Sequence, residues 1–233
     1  MSNMTSLSET PTGSTQSSGT AVDRVFNVLR EGILTSRFAS GQRLVEVDLT
    51  RELGVSRGSL REAFRRLSAE GLIEIVPNRG ALVRRLSFRE TIELFEIRTE
   101  LEGLAARLAA RKISDAGLRK AFEDAIAPIW SDEPRLSSAA YIDENARFHR
   151  AIIELSGNTQ LDIVSRQLQL PLILSQTSQA LTLDSLNQSV IEHREIAEQI
   201  LAGNSRDADA AIRRHLSRAE DLIRKMPAAF FRT

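Results

Sequence analysis

Three histidines, His149, His193 and His215, are the only imidazoles in the chain. Each falls on the apolar face of a helical pattern. In "DENARFHRAI" His149 has Ile142, Ala146, Ile152 and Ile153 on its side, and Asn145 one turn before it. His193 shares a face with Val190, Ile196 and Ala197, and His215 with Ala211, Ile212, Ala219 and Leu222. A lone inward histidine is commonly a hydrogen-bonded core residue. Three inward histidines on three separate helices, with none left outside, point instead to a ligand set. Three imidazoles with the amide oxygen of Asn145 suit a divalent ion, Zn2+ first and Ni2+ or Mn2+ as alternatives, and leave a position open. Because all four donors are neutral, the charge of the ion is uncompensated and favours an anion there. Asp143, six residues from His149, points elsewhere. Arg98 lies on the apolar stripe of another helix with Leu94, Leu101 and Ala105, and an inward guanidinium requires an anion. Either Glu102, four residues on, or a carboxylate effector reaching toward the metal meets that need.

A second group of side chains suits a polyanion. "VSRGSLREAFRRLSAEG" carries Arg57, Arg61, Arg65 and Arg66 on one helical segment that opens with Ser56 and Ser59. Arg57 and Arg61 share a face, while Leu60, Phe64 and Leu67 lie opposite and belong to a core. Arginine near the start of a recognition helix can reach guanine O6 and N7 with two hydrogen bonds, and hydroxyls hold phosphates. Arg79 beside Gly80, at the tip of a turn, suits the minor groove, where backbone must come close.

The elements that position these groups follow from periodicity and caps. Residues 1–20 are Ser/Thr/Gly-rich and too polar to pack, so they read as a disordered tail. In residues 21–86, helices over Ala21–Ser36, "VEVDLTRELG" and "VSRGSLREAFRRLSAEG" precede two short strands around "PNRG". Gly54 and Gly71 stop the second and third helices, and Ser56 or Ser59 caps the third, with Glu62 available for a capping box after Ser59. Three helices and a hairpin are the plan of a winged helix-turn-helix. Residues 87–228 read as an antiparallel bundle of six to seven helices. Ser87 caps the first, which runs to about Lys112 with Leu94, Leu101, Leu104 and Leu108 on its stripe. Ser114 caps the second, to about Trp130, and "SDEPRLSS" is a loop. The third spans about Ala139–Leu155, the fourth starts at Asn158 and is broken by Pro171, and the last two cover about Ser185–Leu201 and Ser205–Met226. The fold class is all-α with a small β wing.

Bulk properties narrow the function. No apolar run reaches the length of a membrane span, and the N-terminus lacks a basic segment followed by an apolar one, so no membrane or export role is expected. The absence of cysteine removes disulfides and thiolate metal sites and fits a cytoplasmic protein. Net charge is zero but unevenly placed. Residues 21–86 hold 12 arginines against 8 acids, whereas residues 87–233 hold 19 basic residues against 22 acids, so only the front half suits a polyanion.

"GQRLVEVDLTRELGVSRGSLREAFRRLSAEGLIEIVPNRGALV" resembles the winged-helix domain of the GntR family of bacterial transcription regulators. The hallmark is Ser-Arg, two variable positions, an aliphatic residue and Arg-Glu-Ala, met by Ser56, Arg57, Gly58, Ser59, Leu60, Arg61, Glu62 and Ala63. The resemblance implies double-stranded DNA contact through Ser56, Arg57, Ser59, Arg61, Arg79 and Gly80. Gly58-Ser59 stands where the family usually has Thr-Pro, and glycine loosens that first turn. "EIRTELEGLAARLAAR", "NARFHRAIIELSGN", "EHREIAEQILAGN" and "RRHL" are similar to the FCD ligand-binding domain of the FadR-type subfamily. In its metal-binding members an acid four residues before the first histidine joins three histidines. That set corresponds to Asn145, His149, His193 and His215, with the acid replaced by a neutral and weaker ligand. The resemblance implies a homodimer on a palindromic operator. With the residue reading of Arg98 as effector contact and of an anion at the metal, the expectation is a repressor controlled by a small organic acid. The alternative is a metal-dependent hydrolase or lyase fused to a DNA-binding module, against which stand the absence of H-E-x-x-H and of a general base beside the metal.

Overall fold

The structure, a computed structural model, describes residues 20–35, 37–77, 79–131, 138–167, 173, 176 and 181–232. The first unit is built around α1 (Ala21–Leu34), α2 (Glu46–Leu53) and α3 (Arg57–Ala69). Thr20 and Asp23 form a reciprocal capping box on α1, satisfying two backbone N–H groups that the helix itself cannot. Gly54, at φ +63°, ends α2. Ser56 caps α3 by accepting from the Ser59 backbone N–H. Of the two serines offered by the sequence, Ser56 is therefore the cap, and Glu62 makes no box but pairs with Arg65. Leu60, Ala63, Phe64 and Leu67 of α3 are buried against Val25, Leu29 and Ile33 of α1.

The wing consists of β2 (Ile73–Val76) and β3 (Gly80–Val83), paired antiparallel with Ile75 opposite Ala81. β1 (Arg43–Leu44) joins the other edge of β3, giving the order β1-β3-β2. Two residues are too few to show a period of two, so β1 is invisible to pattern reading. Asn78 of the "PNRG" turn lies outside the described residues. Gly80 has φ +86°, and a Cβ there would stand 2.3 Å from the Leu44 carbonyl oxygen. The close approach of β1 thus gives this glycine a reason within the fold.

The second unit is helical. α4 (Phe88–Lys112) starts at a capping box between Ser87 and Glu90. α5 (Ala116–Ile126) is capped by Asp115, which accepts from Gly117 and Leu118 N–H, and not by Ser114; a 3-10 turn over Ala127–Trp130 follows. α6 (Ser138–Ser156) and α7 (Thr159–Gln167) come next, the latter with Asn158 Oδ1 accepting from Leu161 N–H at 3.1 Å. α8 (Leu183–Leu201) begins two residues before Ser185 because Thr182 caps it, and α9 (Ser205–Arg224) closes the bundle. Pro171 and most of "SDEPRLSS" lie outside the described residues. Those described hold nine α-helices and one three-stranded sheet, and no helix among them is long and apolar enough to cross a membrane.

The buried face of α4 is rotated from the leucine stripe read in the sequence. Phe95, Arg98, Glu102, Ala105, Ala106 and Ala109 are buried, while Leu94, Leu101, Leu104 and Leu108 are half-buried. Small residues let α9 come close, and Gly103 shows the limit. A Cβ there would stand 2.5 Å from Asp209 Oδ1, which accepts from Arg213.

The two units share a core. Ile92 and Phe95 of α4, Ile173, Ile223 of α9 and Phe231 join the residues of the wing and its helices in one buried cluster. The connection at Leu86 is pinned from several sides. Gln176 Oε1 accepts from Leu86 N–H at 2.8 Å, and its Nε2 donates to the Leu86 and Phe230 carbonyls. Arg232 N–H donates to Leu86 O at 3.0 Å, and Phe231 packs edge-on against Phe88.

Candidate functional site

α6, α8 and α9 bring His149, His193 and His215 to one point, all at most 3% exposed. Ring centroids are 5.2 Å apart for His149 and His193, 5.4 Å for His149 and His215, and 4.7 Å for His193 and His215. One ring nitrogen from each lies within 4.8 Å of the others. His149 and His215 each bind a carboxylate through Nδ1. Glu102 of α4 meets His149, and Glu192 of α8 meets His215 at 2.8 Å. An ionised carboxylate only accepts, so each Nδ1 carries the proton and each Nε2 presents its lone pair. Among the described residues, His149 Nε2 is buried with no hydrogen-bond partner, as are both ring nitrogens of His193. Buried lone pairs without partners are what a cation site needs, and carboxylates orient two of the three rings, His149 and His215. The three histidines therefore fit a divalent metal.

Each carboxylate is balanced by a guanidinium. Arg98 Nε donates to Glu102 at 2.5 Å, and Arg218 donates to Glu192 at 2.5 and 2.8 Å. Burial alone would raise the Glu102 carboxyl, but Arg98 and His149 together hold it well below the usual carboxylate range. Glu192 is likewise pushed up by burial, yet hydrogen bonds from His215 and Arg218 bring it to about 2. Burial lowers all three imidazoles. His193 falls well below the ordinary value, and His215 falls to about 4 despite the opposing pull of Glu192. All three are thus neutral near pH 7, the form that ligates.

Arg98 is buried and meets Glu102, one of the two anions that the sequence left open for it. It also lines a cavity of about 50 Å3, together with Tyr141, Asn145, Ser189, His215 and Arg218. Asn145 is 3% exposed and one helical turn from His149. Glu192, Arg218, Tyr141 and Ser189 were not singled out from the sequence. Glu192 adjoins His193 in the chain but serves His215 on another helix, and adjacency concealed that. Arg218, three residues after His215, carried a spacing signal that could have been read.

In the first unit, the start of α2, the middle of α3, the wing and β1 enclose a groove of about 540 Å3 whose lining includes Arg43, Arg61, Arg65, Arg79 and Glu46. Ser56, Arg57 and Arg79 are exposed, and Gly80 is half-buried under β1. Arg61 is exposed and paired with Glu46 of α2 at 3.1 Å. Ser56 Oγ serves as cap and shares a 2.9 Å hydrogen bond with Ser59 Oγ. Arg65 and Arg66 are turned toward Glu62 and Asp23. Arg43, on the unforeseen strand β1, adds a cation to the groove and donates to the Arg79 carbonyl at 3.0 Å.

Comparison with known proteins gives two family matches. Residues 21–83 match the bacterial regulatory proteins of the gntR family, and residues 93–218 match the FCD domain. The chain is 30% identical over 202 residues to a probable D-xylose utilization operon transcriptional repressor of Paenarthrobacter nicotinovorans, covering 85% of this chain and 86% of that protein. It is 29% identical over 206 residues to the HTH-type transcriptional regulator LutR of Bacillus subtilis, covering 78% and 92%. Among solved structures, E. coli McbR/YncC aligns with a TM-score of 0.72 at 20% identity, covering 89% of this chain and 98% of that one. A putative GntR regulator of Rhodococcus sp. RHA1 aligns at 0.70 and 24%, covering 88% and 98%. At those identities the structural likeness is one of fold.

Proposed function

We propose, from the premise that this chain belongs to the gntR family of bacterial regulatory proteins and carries an FCD domain, a mechanism in which a metabolite bound at the histidine centre switches a DNA reader. The chain is a transcriptional regulator, and its relatives above are regulators and not enzymes, so the hydrolase or lyase alternative has no support. The observation that carries the mechanism is the meeting of three buried histidines, two of them with unpartnered nitrogens among the described residues, beside a cavity whose wall is part of the shared core.

In this reading residues 21–86 are the DNA-binding unit and residues 87–228 the effector, metal and dimerisation unit, after a tail at 1–20. A homodimer binds a palindromic duplex in the cytoplasm. Arg57 and Arg61 take base edges in the major groove, Ser56 and Ser59 hold phosphates, and Arg79 and Gly80 reach the minor groove. Arg61 exchanges Glu46 for DNA. His149, His193 and His215 hold the ion, with Zn2+ favoured by three imidazoles and Ni2+ or Mn2+ as substitutes. The ion supplies an electrophilic centre for an anionic oxygen, and Arg98 offers further donors to a small organic acid.

The cavity size explains how a ligand reaches the DNA reader. About 50 Å3 holds roughly one or two waters, far below the volume of a metabolite pocket. A ligand must displace the wall, and Ile173 and Ile223 of that wall also pack in the core shared with the wing and its helices. Ligand binding therefore shifts how the reader is carried, and with it duplex affinity. Repression released by ligand is the favoured sense, in keeping with a relative described as a probable repressor. The test uses a duplex selected from random sequence, titrated with zinc-loaded protein in the presence of a panel of small carboxylic acids. A change in duplex affinity of at least about fivefold with one acid supports the switch. An affinity unmoved by an acid that the bundle demonstrably binds rejects it.

A further inference from the structure

We infer that Asn145 faces the ligand as a hydrogen-bond donor instead of ligating the metal, so that metal and carboxylate bind as an interdependent pair. The inference rests on the metal centre proposed above. The amide is already oriented by its neighbours. Tyr141 Oη donates to Asn145 Oδ1 at 3.2 Å, and its own oxygen lies 2.5 Å from Ser189 Oγ. A phenol has one proton, so Ser189 donates to Tyr141 and Tyr141 donates to Asn145. That bond takes one of the two lone pairs of Oδ1, the one atom of Asn145 able to ligate a cation, and sets which side of the amide faces the cavity. The other polar atom, Nδ2, is buried and has no partner among the described residues, and Asn145 lines the cavity with Arg98, Ser189, His215 and Arg218. An unpartnered buried N–H group requires an acceptor, which a cation cannot be.

Charge points the same way. Arg98 and Glu102 cancel, as do Arg218 and Glu192, and an imidazole that ligates through its lone pair is neutral. A divalent ion then adds its full charge with nothing from the protein to offset it. A carboxylate in the cavity offers one oxygen to the ion and another to Asn145 Nδ2, satisfying both. An acid at position 145 would neutralise part of the ion and repel the same carboxylate. The asparagine thus selects for an anionic ligand at the expense of metal affinity in its absence. By reciprocity, carboxylate must tighten metal as much as metal tightens carboxylate.

The experiment is zinc titration of the full chain against a chromophoric chelator, with and without acetate, corrected for zinc–acetate complexation in the buffer. Wild type, Asn145→Asp, Asn145→Ala and the His149→Ala/His193→Ala/His215→Ala variant are compared. Acetate is expected to tighten zinc binding to wild type by at least about fivefold. Asn145→Asp should bind zinc about tenfold more tightly without acetate and lose most of the acetate effect. Asn145→Ala should lose more of the acetate effect than of acetate-free affinity. A zinc affinity of wild type indifferent to acetate overturns the inference. So does an Asn145→Ala variant that loses about tenfold in acetate-free affinity with the acetate effect intact, since the amide oxygen would then be a ligand. If wild type and the triple variant hold zinc equally, the metal centre itself is wrong and the inference falls with it.

Discussion

Which ring nitrogen of each histidine is engaged sets the chemistry of the site at the scale of single residues. Glu102 and Glu192 take Nδ1 of His149 and His215, leaving Nε2 of each for a ligand, while His193 stacks on Phe148 at 4.2 Å and has no carboxylate. Glu102→Gln should therefore act through His149, because an amide can donate to Nδ1 and so favour the wrong tautomer. Metal affinity is expected to fall about 10–100-fold, with the bundle still folded by circular dichroism; an affinity equal to wild type would mean that Glu102 does not orient the ring. The histidines themselves were legible in the sequence because each sits among apolar residues at helical spacing. Their carboxylate partners were not, since Glu192 shares a helix with His193 and bonds the histidine of another. Only packing reveals such a pairing.

Among elements, the joint between β3 and α4 has a measurable signature. Glu90 accepts from Ser87 N–H, pairs with Arg84 at 2.8 Å and with Arg232 at 3.1 Å, and so ties the wing, α4 and the C-terminal segment together. Burial pushes its carboxyl up, but Ser87, Arg84 and Arg232 outweigh that and lower it to about 2. A carboxyl lowered by folding stabilises the protein above its unfolded value and loses that contribution as pH falls toward the folded value. Glu90→Gln should cost about 1 kcal/mol at neutral pH, as loss of a cap does. The difference in melting temperature from wild type should shrink between roughly pH 4.5 and pH 2. A constant difference across that range would assign the loss to packing. Caps made most helix starts readable, as at Ser56 and Ser87. α5 was misassigned by one residue because Ser114 and Asp115 are both good caps and only geometry decides between them. β1 was missed because two residues carry no pattern, and the buried face of α4 because alanines, not leucines, line the closest helix contact.

Across the whole molecule, the proposed coupling runs through a core shared by the winged unit and the cavity wall. Gln176 bonds both Leu86 and Phe230, and Ile173 on the same stretch lines the cavity. Gln176→Ala should leave zinc bound and weaken the change in duplex affinity that the ligand produces, read by titrating the selected duplex with and without the acid. An undiminished ligand effect would place the coupling elsewhere. The two-unit plan was legible from the switch between short strands and long helices, but this junction was not, because its residues come from three distant parts of the chain.

Counting metal decides whether the three histidines form a metal centre. Untagged protein prepared without chelators is analysed for zinc, nickel and manganese beside the His149→Ala/His193→Ala/His215→Ala variant. About one ion per chain in the wild type, lost in the variant, is the expected result. No ion in the wild type, even after incubation with each metal, would contradict the claim and leave the histidines as hydrogen-bonding groups of a metal-free pocket.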